Sequence, residues 1–221
     1  MSLIKKTLLR LIFSSSLLTI IYQFFFRAPA SIFNIFNFYK SDKRILQEFY
    51  LNHKIHTDNN IKSLDLGCGP NPSNPFLSDS LSGLDLYEDL NRSIYKCNLG
   101  FDRIPFEDNS FEYITAFDLI EHIPRHSYDG NKHLTPFIFL MNEIHRVLKK
   151  DGVFLSFTPV YPFLGSFQDP THNNIITFDT YEYYFSENKH TIASHYGIET
   201  NFKIRSQKLF REHLISVLQK K

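Results

Sequence analysis

Apolar and polar positions fall in blocks along the chain, and the period changes from block to block. Between Ser41 and Ile55 the apolar residues Ile45, Leu46, Phe49 and Tyr50 recur at helical spacing until Asp58, Asn59 and Asn60 break the pattern, which predicts a helix ahead of the first strand. Ile61 to Leu66 is a short apolar run that ends in Gly67-Cys68-Gly69-Pro70, and Leu81 to Leu86 and Phe111 to Phe117 are runs of the same kind. These predict three strands. Pro136 to Leu148 sets Phe139, Leu140, Ile144, Val147 and Leu148 on one face, carries Lys149 and Lys150 at its carboxyl end and stops before Gly152, as a helix does. Val153 to Thr158 predicts another strand. Beyond Thr180 the pattern predicts a helix through Ser194, a strand pair within Glu199 to Phe210 and a closing helix to Lys221. Strands alternating with helices make a mostly parallel sheet covered on both faces, an α/β class with ligands at the carboxyl ends of the strands.

The first forty residues follow a different rule. Lys5, Lys6 and Arg10 precede an uncharged stretch, Leu11 to Phe26, interrupted by Ser14, Ser15, Ser16 and Gln23. As a helix it reaches roughly 24 Å, short of the roughly 30 Å hydrocarbon core of a bilayer. A second apolar group, Ile32, Phe33, Ile35, Phe36, Phe38 and Tyr39, follows Pro29. Three readings compete: a signal peptide cut after Ala28-Pro29-Ala30, a membrane span, or a helix lying in the interface, and the aromatics could instead cover the domain's own core. The expected organisation is an apolar helical arm over residues 1–40 that meets a membrane surface, followed by one α/β domain over 41–221.

Composition narrows the partners. The chain's 221 residues, 43% of them hydrophobic, suffice for one sizeable core. A formal charge of +1 without any Lys/Arg block argues against nucleic acid as a partner. Cys68 and Cys97 lack metal spacing, which favours a reducing compartment over a disulfide framework. No compact set of ligands is visible along the sequence, so no metal is expected.

The chemistry concentrates at the first strand end. Gly67 and Gly69 allow a sharp turn that approaches a ligand closely. Asp65 either orients that loop or accepts from an ammonium group, while Asp85, at the second strand's end, is placed to accept from two ribose hydroxyls. A dinucleotide fingerprint starting at Gly67 would need glycine at position 72, where the chain has Pro72 within Pro70-Asn71-Pro72-Ser73-Asn74-Pro75. That run leaves little room for a helix aimed at a pyrophosphate.

Five blocks in order carry a family resemblance: Leu64 to Gly69, Gly83-Leu84-Asp85, Ile104 to Phe111, Asp118-Leu119-Ile120-Glu121-His122, and Asn142 to Gly152. Over about Ile61 to Pro159 the chain resembles the class I methyltransferases of the type 11 branch. The resemblance implies a Rossmann-like, mostly parallel sheet with helices on both faces and an antiparallel last strand. It implies S-adenosyl-L-methionine as cofactor, held by Asp65, Gly67, Cys68, Gly69, Asp85, Leu86, Asn98, Leu99, Phe117, Asp118 and His122. Asn98 departs from the acid common in the family, although an amide oxygen also accepts a hydrogen bond from an adenine amino group.

Methyl transfer is an in-line displacement, so positioning the acceptor supplies much of the acceleration. A hydroxyl acceptor also needs a base, for which Glu121, His122, His126, Asp169 and His172 are candidates. The Glu121-His122 pair recurs across the resembling domains whatever their acceptor, and so reads mainly as part of the donor site. Asp169-Pro170-Thr171-His172 follows the last central strand in a loop rich in Tyr161, Phe163 and Phe167. There Asp169 could fix one tautomer of His172, with His122 as a further catalytic candidate; equally, Asp-Pro begins turns and the histidine could satisfy loop carbonyls. The loop from Phe157 to Phe185 is similar to that of methyltransferases from bacterial surface-polysaccharide pathways. The expected acceptor is therefore a saccharide or lipid-linked saccharide hydroxyl, met in the cytoplasm at the inner face of the membrane. The alternatives are a lipid or quinone precursor, or a donor-binding scaffold without catalysis.

Overall fold

The computed structural model of the protein describes residues 39–56 and 59–221. The chain divides into two units, Met1–Phe49 and Tyr50–Lys221. The expected apolar arm lies, through residue 38, outside the described residues. Among the described residues no helix is long and apolar enough to cross a membrane.

Helix α1 (Tyr39–Asn52) is followed by strands β1 (Lys62–Leu66), β2 (Ser80–Asp85), β3 (Ile94–Lys96) and β4 (Phe111–Phe117). A small antiparallel hairpin, β5 (Ser127–Asp129) and β6 (Lys132–Leu134), precedes helix α2 (Pro136–Val147) and the long strand β7 (Leu148–Pro159). Helix α3 (Thr180–Phe185), β8 (Phe202–Phe210) and β9 (His213–Lys220) complete the chain. Seven strands form one sheet in the order β3-β2-β1-β4-β7-β9-β8. Pairing is parallel from β3 to β7, and β9 runs antiparallel to both its neighbours. This is the mostly parallel sheet with an antiparallel last strand that the sequence leads one to expect.

The central strands are apolar without alternation because both their faces are covered: β4 is buried from Phe111 to Ala116. From β1 the chain crosses to β2 on one side and later to β4 on the other, so a crevice opens at their carboxyl ends. No helix fills the β1–β2 crossover. Fully buried Phe76 stacks on Tyr113 at 4.2 Å instead, and Asn74 closes the loop through both the N–H and the carbonyl of Ser78. The block Ile104 to Phe111 is held from α2. Arg146 donates to the carbonyls of Ile104 and Phe106, while Glu143 accepts from the Ile104 N–H. That part of the motif set is therefore structural.

Four expectations are corrected. The closing helix is strand β9, whose Leu214 to Leu218 are all buried between β7 and β8; a short continuous apolar run has no period to distinguish the two states. The strand pair within Glu199 to Phe210 is the single strand β8, paired with β9 across a turn containing left-handed Arg211. The helix expected through Ser194 ends at Phe185, where the Ser186 hydroxyl donates to the Glu182 carbonyl and a separate 3-10 turn runs from Thr191 to Tyr196. Lys149 to Gly152, read as a helix end, already belong to β7 and bulge against β4.

Candidate active site

The loop after β1 is built for close approach. Gly67 and Gly69 have φ of +62° and +57°, the left-handed region that disfavours a side chain. A Cβ at Gly67 would lie 2.7 Å from Leu119 Cδ1, whereas one at Gly69 would meet nothing within 4 Å. Below the loop, a Cβ on Gly83 would strike Cys68 Sγ at 2.5 Å and Pro72 Cγ at 2.9 Å, so the turn rests directly on β2. Burial raises the Cys68 thiol to about 11, with the nearby Asp65 and Asp85 acting in the same direction. It sits in the loop as a packed thiol rather than a thiolate.

The two aspartates have different tasks. Asp65 is buried; its Oδ1 accepts from Thr115 Oγ1 at 2.6 Å and its Oδ2 from the Ser73 N–H at 2.7 Å. It thereby ties the proline-rich half of the loop to β4, which supports the loop-orienting alternative. Desolvation lifts its carboxyl to about 6 despite these hydrogen bonds. Asp85 accepts from the Gly69 N–H at 2.8 Å through Oδ2 and from the Leu86 N–H at 2.7 Å through Oδ1. Each carboxylate oxygen keeps a second lone pair, so a vicinal diol can still be accepted there. Leu86 is exposed beside it.

Further along, Asn98 is exposed, its N–H donating to Asp102 Oδ2 at 2.9 Å, while Leu99 is buried in the core. Phe117 meets Tyr50 edge-on at 5.9 Å. Asp118 adopts a left-handed backbone at the end of β4, and its Oδ1 lies 3.1 Å from His213 Nε2. The His213 ring stacks on Phe157 at 4.4 Å and 14°. Antiparallel pairing places His213 opposite Pro159, at the carboxyl end of β7. Sequence reasoning missed His213 because its segment was read as helix; the Asp118 partner is visible only once β9 lies beside β7.

The loop that carries Asp169 and His172 docks on the turn Ile120–His122, where the N–H groups of Asn173 and Asn174 donate to the Glu121 carbonyl at 2.8 and 2.9 Å. Asp169 is engaged by Thr171 rather than by His172. Its Oδ1 accepts from Thr171 Oγ1 at 2.6 Å and from the Thr171 N–H at 2.8 Å, which hold the carboxyl below its usual range. His172 Nε2 is 3.9 Å from Asp169 Oδ2. Because the Thr171 hydroxyl donates to Asp169, it accepts from His122 Nδ1 at 3.0 Å, so the proton of His122 sits on Nδ1 and Nε2 carries the lone pair. The two imidazoles meet edge-on at 4.8 Å. Glu121, buried beneath them, accepts from Thr158 Oγ1 at 2.8 Å, and desolvation raises its carboxyl. Three residues without metal spacing in the sequence are thus gathered by the fold, with ligand atoms within 4.8 Å of one another. His126 stands apart, its Nδ1 3.0 Å from His133 Nε2 on the exposed hairpin.

Residues 64–156 of this chain match the family described as a methyltransferase domain. Among solved structures, the PH0226 protein of Pyrococcus horikoshii OT3 is 17% identical, with 84% of this chain and 93% of that one covered at a TM-score of 0.50. A Listeria monocytogenes protein described as an S-adenosylmethionine-dependent methyltransferase is 13% identical over 80% of this chain and 99% of its own, at 0.50. The [4+2]-cyclase SpnF is 14% identical over 80% of each chain, at 0.51. No curated protein matches. At these identities the structures share the fold, and the cyclase shows that the fold alone does not fix the reaction. The match over residues 64–156 and the shared Rossmann-like fold support a methyltransferase domain with S-adenosylmethionine as its cofactor. The residues fit that cofactor: the space beside Gly69 is open, and Asp85 retains acceptor capacity for the ribose.

Proposed function

We propose that this chain transfers the methyl group of S-adenosylmethionine to a hydroxyl of a saccharide or lipid-linked saccharide, with His213 as the proton acceptor. The cofactor supplies an electrophilic methyl on a sulfonium. The observation that carries the reading is the Asp118–His213 pair at the carboxyl ends of β4 and β7. With the Asp118 carboxylate beside Nε2, the imidazole takes the proton of the acceptor hydroxyl at Nδ1 as that oxygen bonds to the methyl carbon, and the carboxylate offsets the charge that develops on the ring. Phe157 fixes the plane of that ring. Tyr161 and Phe167, about half exposed and in edge contact at 6.1 Å, offer flat surfaces for the C–H faces of a sugar. Attachment of residues 1–40 to the inner membrane surface would bring the site to a lipid-linked acceptor. The test is incubation of full-length protein with isotopically labelled donor and fractionated cell extract. Label in the polar glycan or lipid-linked glycan fraction supports the proposal, and label confined to simple lipids or quinones, or to no fraction, contradicts it.

A further inference from the structure

We propose that Glu121, His122 and His172 form a binding site for a divalent transition-metal ion of the zinc type. Two loops contribute, and the fold brings their ligand atoms within 4.8 Å of one another. Ligands at 2.0–2.2 Å around a tetrahedral ion are roughly 3.3 Å apart, so closing the site takes small side-chain rotations rather than a backbone change.

A second observation points to a ligand independently of this proximity. His172 Nδ1 is buried and has no hydrogen-bond partner, and its side chain is only 8% exposed. A buried ring nitrogen left unpaired is unfavourable, and a bound ion would offset that cost. The groups behind the imidazoles complete the pattern. His122 Nδ1–H donates to Thr171 Oγ1, which donates to Asp169, and the same carboxylate stands 3.9 Å from His172 Nε2. The Thr171–Asp169 relay thus fixes the His122 tautomer and leaves its lone pair on Nε2, while the same carboxylate lies near His172 without a hydrogen bond to it. Metal-bound histidines are oriented in this way by an outer carboxylate or hydroxyl.

The donor set selects the ion. Two imidazoles and one carboxylate suit zinc, cobalt or manganese rather than calcium or magnesium, which take oxygen ligands, and three protein ligands leave a position open. A role for that position in holding the acceptor oxygen rests on the proposed methyl transfer; the ion site itself does not.

Metal-stripped, full-length protein is titrated with Zn²⁺ by calorimetry and with Co²⁺ by visible absorption, without donor. One equivalent is expected, with Kd in the micromolar range or tighter and a Co²⁺ spectrum showing nitrogen ligation. His172→Ala and His122→Ala should each weaken binding by at least about 30-fold, and Asp169→Asn by about 10-fold or more. Glu121→Gln keeps the buried shape and should weaken it as well, so the prediction survives if an alanine variant fails to fold. Replacing both exposed hairpin histidines, His126→Ala with His133→Ala, should leave the affinity unchanged. Absence of binding up to about 100 μM, or binding lost with the hairpin pair but kept in His172→Ala, overturns the proposal. Donor affinity is read separately, so failure of the ion site is distinguishable from failure of the methyltransferase assignment.

Discussion

Replacing Asp65 with Asn should make the cofactor-free protein gain stability relative to wild type as the pH rises, while weakening its hold on the donor. Asp65 is 3% exposed, and burial raises its carboxyl from 3.8 to about 6. A difference of about two units corresponds to about 3 kcal/mol. A carboxyl whose folded value is raised contributes stability that is fully present below about pH 4 and lost as the pH climbs through 6. The amide introduced by Asp65→Asn does not titrate, so the stability of the variant relative to wild type should rise by up to about 3 kcal/mol between pH 4 and pH 8, starting below wild type near pH 4 by the hydrogen bond that the amide no longer accepts. His145, lowered to about 4 chiefly by burial, gives the opposite slope over the same window. It is present in both proteins and cancels from the difference. Urea unfolding of the two proteins from pH 4 to pH 8 measures that difference directly. Since the amide cannot accept from both Ser73 and Thr115, the loop loses an anchor and donor affinity should fall several-fold. A stability difference that does not change with pH, or one that moves against the variant between pH 4 and pH 8, would refute the reasoning.

Further outcomes follow from the same geometry. Gly67→Ala places a side chain at φ +62° and 2.7 Å from Leu119 Cδ1. It should lose about 2 kcal/mol of stability in denaturant unfolding and most of its donor affinity, because the left-handed backbone alone costs about 1–2 kcal/mol. His213→Ala should lower kcat toward the labelled acceptor fraction by about 10²- to 10⁴-fold, with donor affinity within about twofold by calorimetry. A rate near wild type would remove His213 from the transfer step. Gly83→Ala, whose new Cβ would meet Cys68 Sγ at 2.5 Å and Pro72 Cγ at 2.9 Å, should displace the loop and weaken donor binding. Unchanged affinity in that variant would show that the loop is not positioned through β2.

The central sheet was readable in the sequence because β1, β2, β4 and β7 are bounded runs that end on glycine, aspartate or proline, and α2 has clear start and stop residues. Asp65, Asp85 and the glycines were readable for the same reason: they stand at strand ends, where the topology puts ligands. The carboxyl-terminal third was not readable, because Leu214 to Leu218 are buried on both faces and show no alternation. That single ambiguity hid His213 and its pairing with Asp118. β3 and the β5–β6 hairpin are three-residue strands, too short to leave a period. The Glu121, His122 and His172 cluster was invisible for another reason. Its members come together through hydrogen bonds from Asn173 and Asn174 to the Glu121 carbonyl and between His122 and Thr171, an arrangement with no spacing rule.

Everything rests on the bend after β1 and the carboxylate of Asp85 forming one nucleoside-binding surface. Calorimetric titration of full-length protein with S-adenosylhomocysteine, beside an Asp85→Ala variant, tests this most directly. One equivalent should bind to the wild type with Kd in the micromolar range, and the variant should lose at least about 30-fold, as expected for charge-assisted hydrogen bonds worth about 1.5–3 kcal/mol. No heat of binding from folded wild-type protein, or equal affinity in the two proteins, would contradict the account.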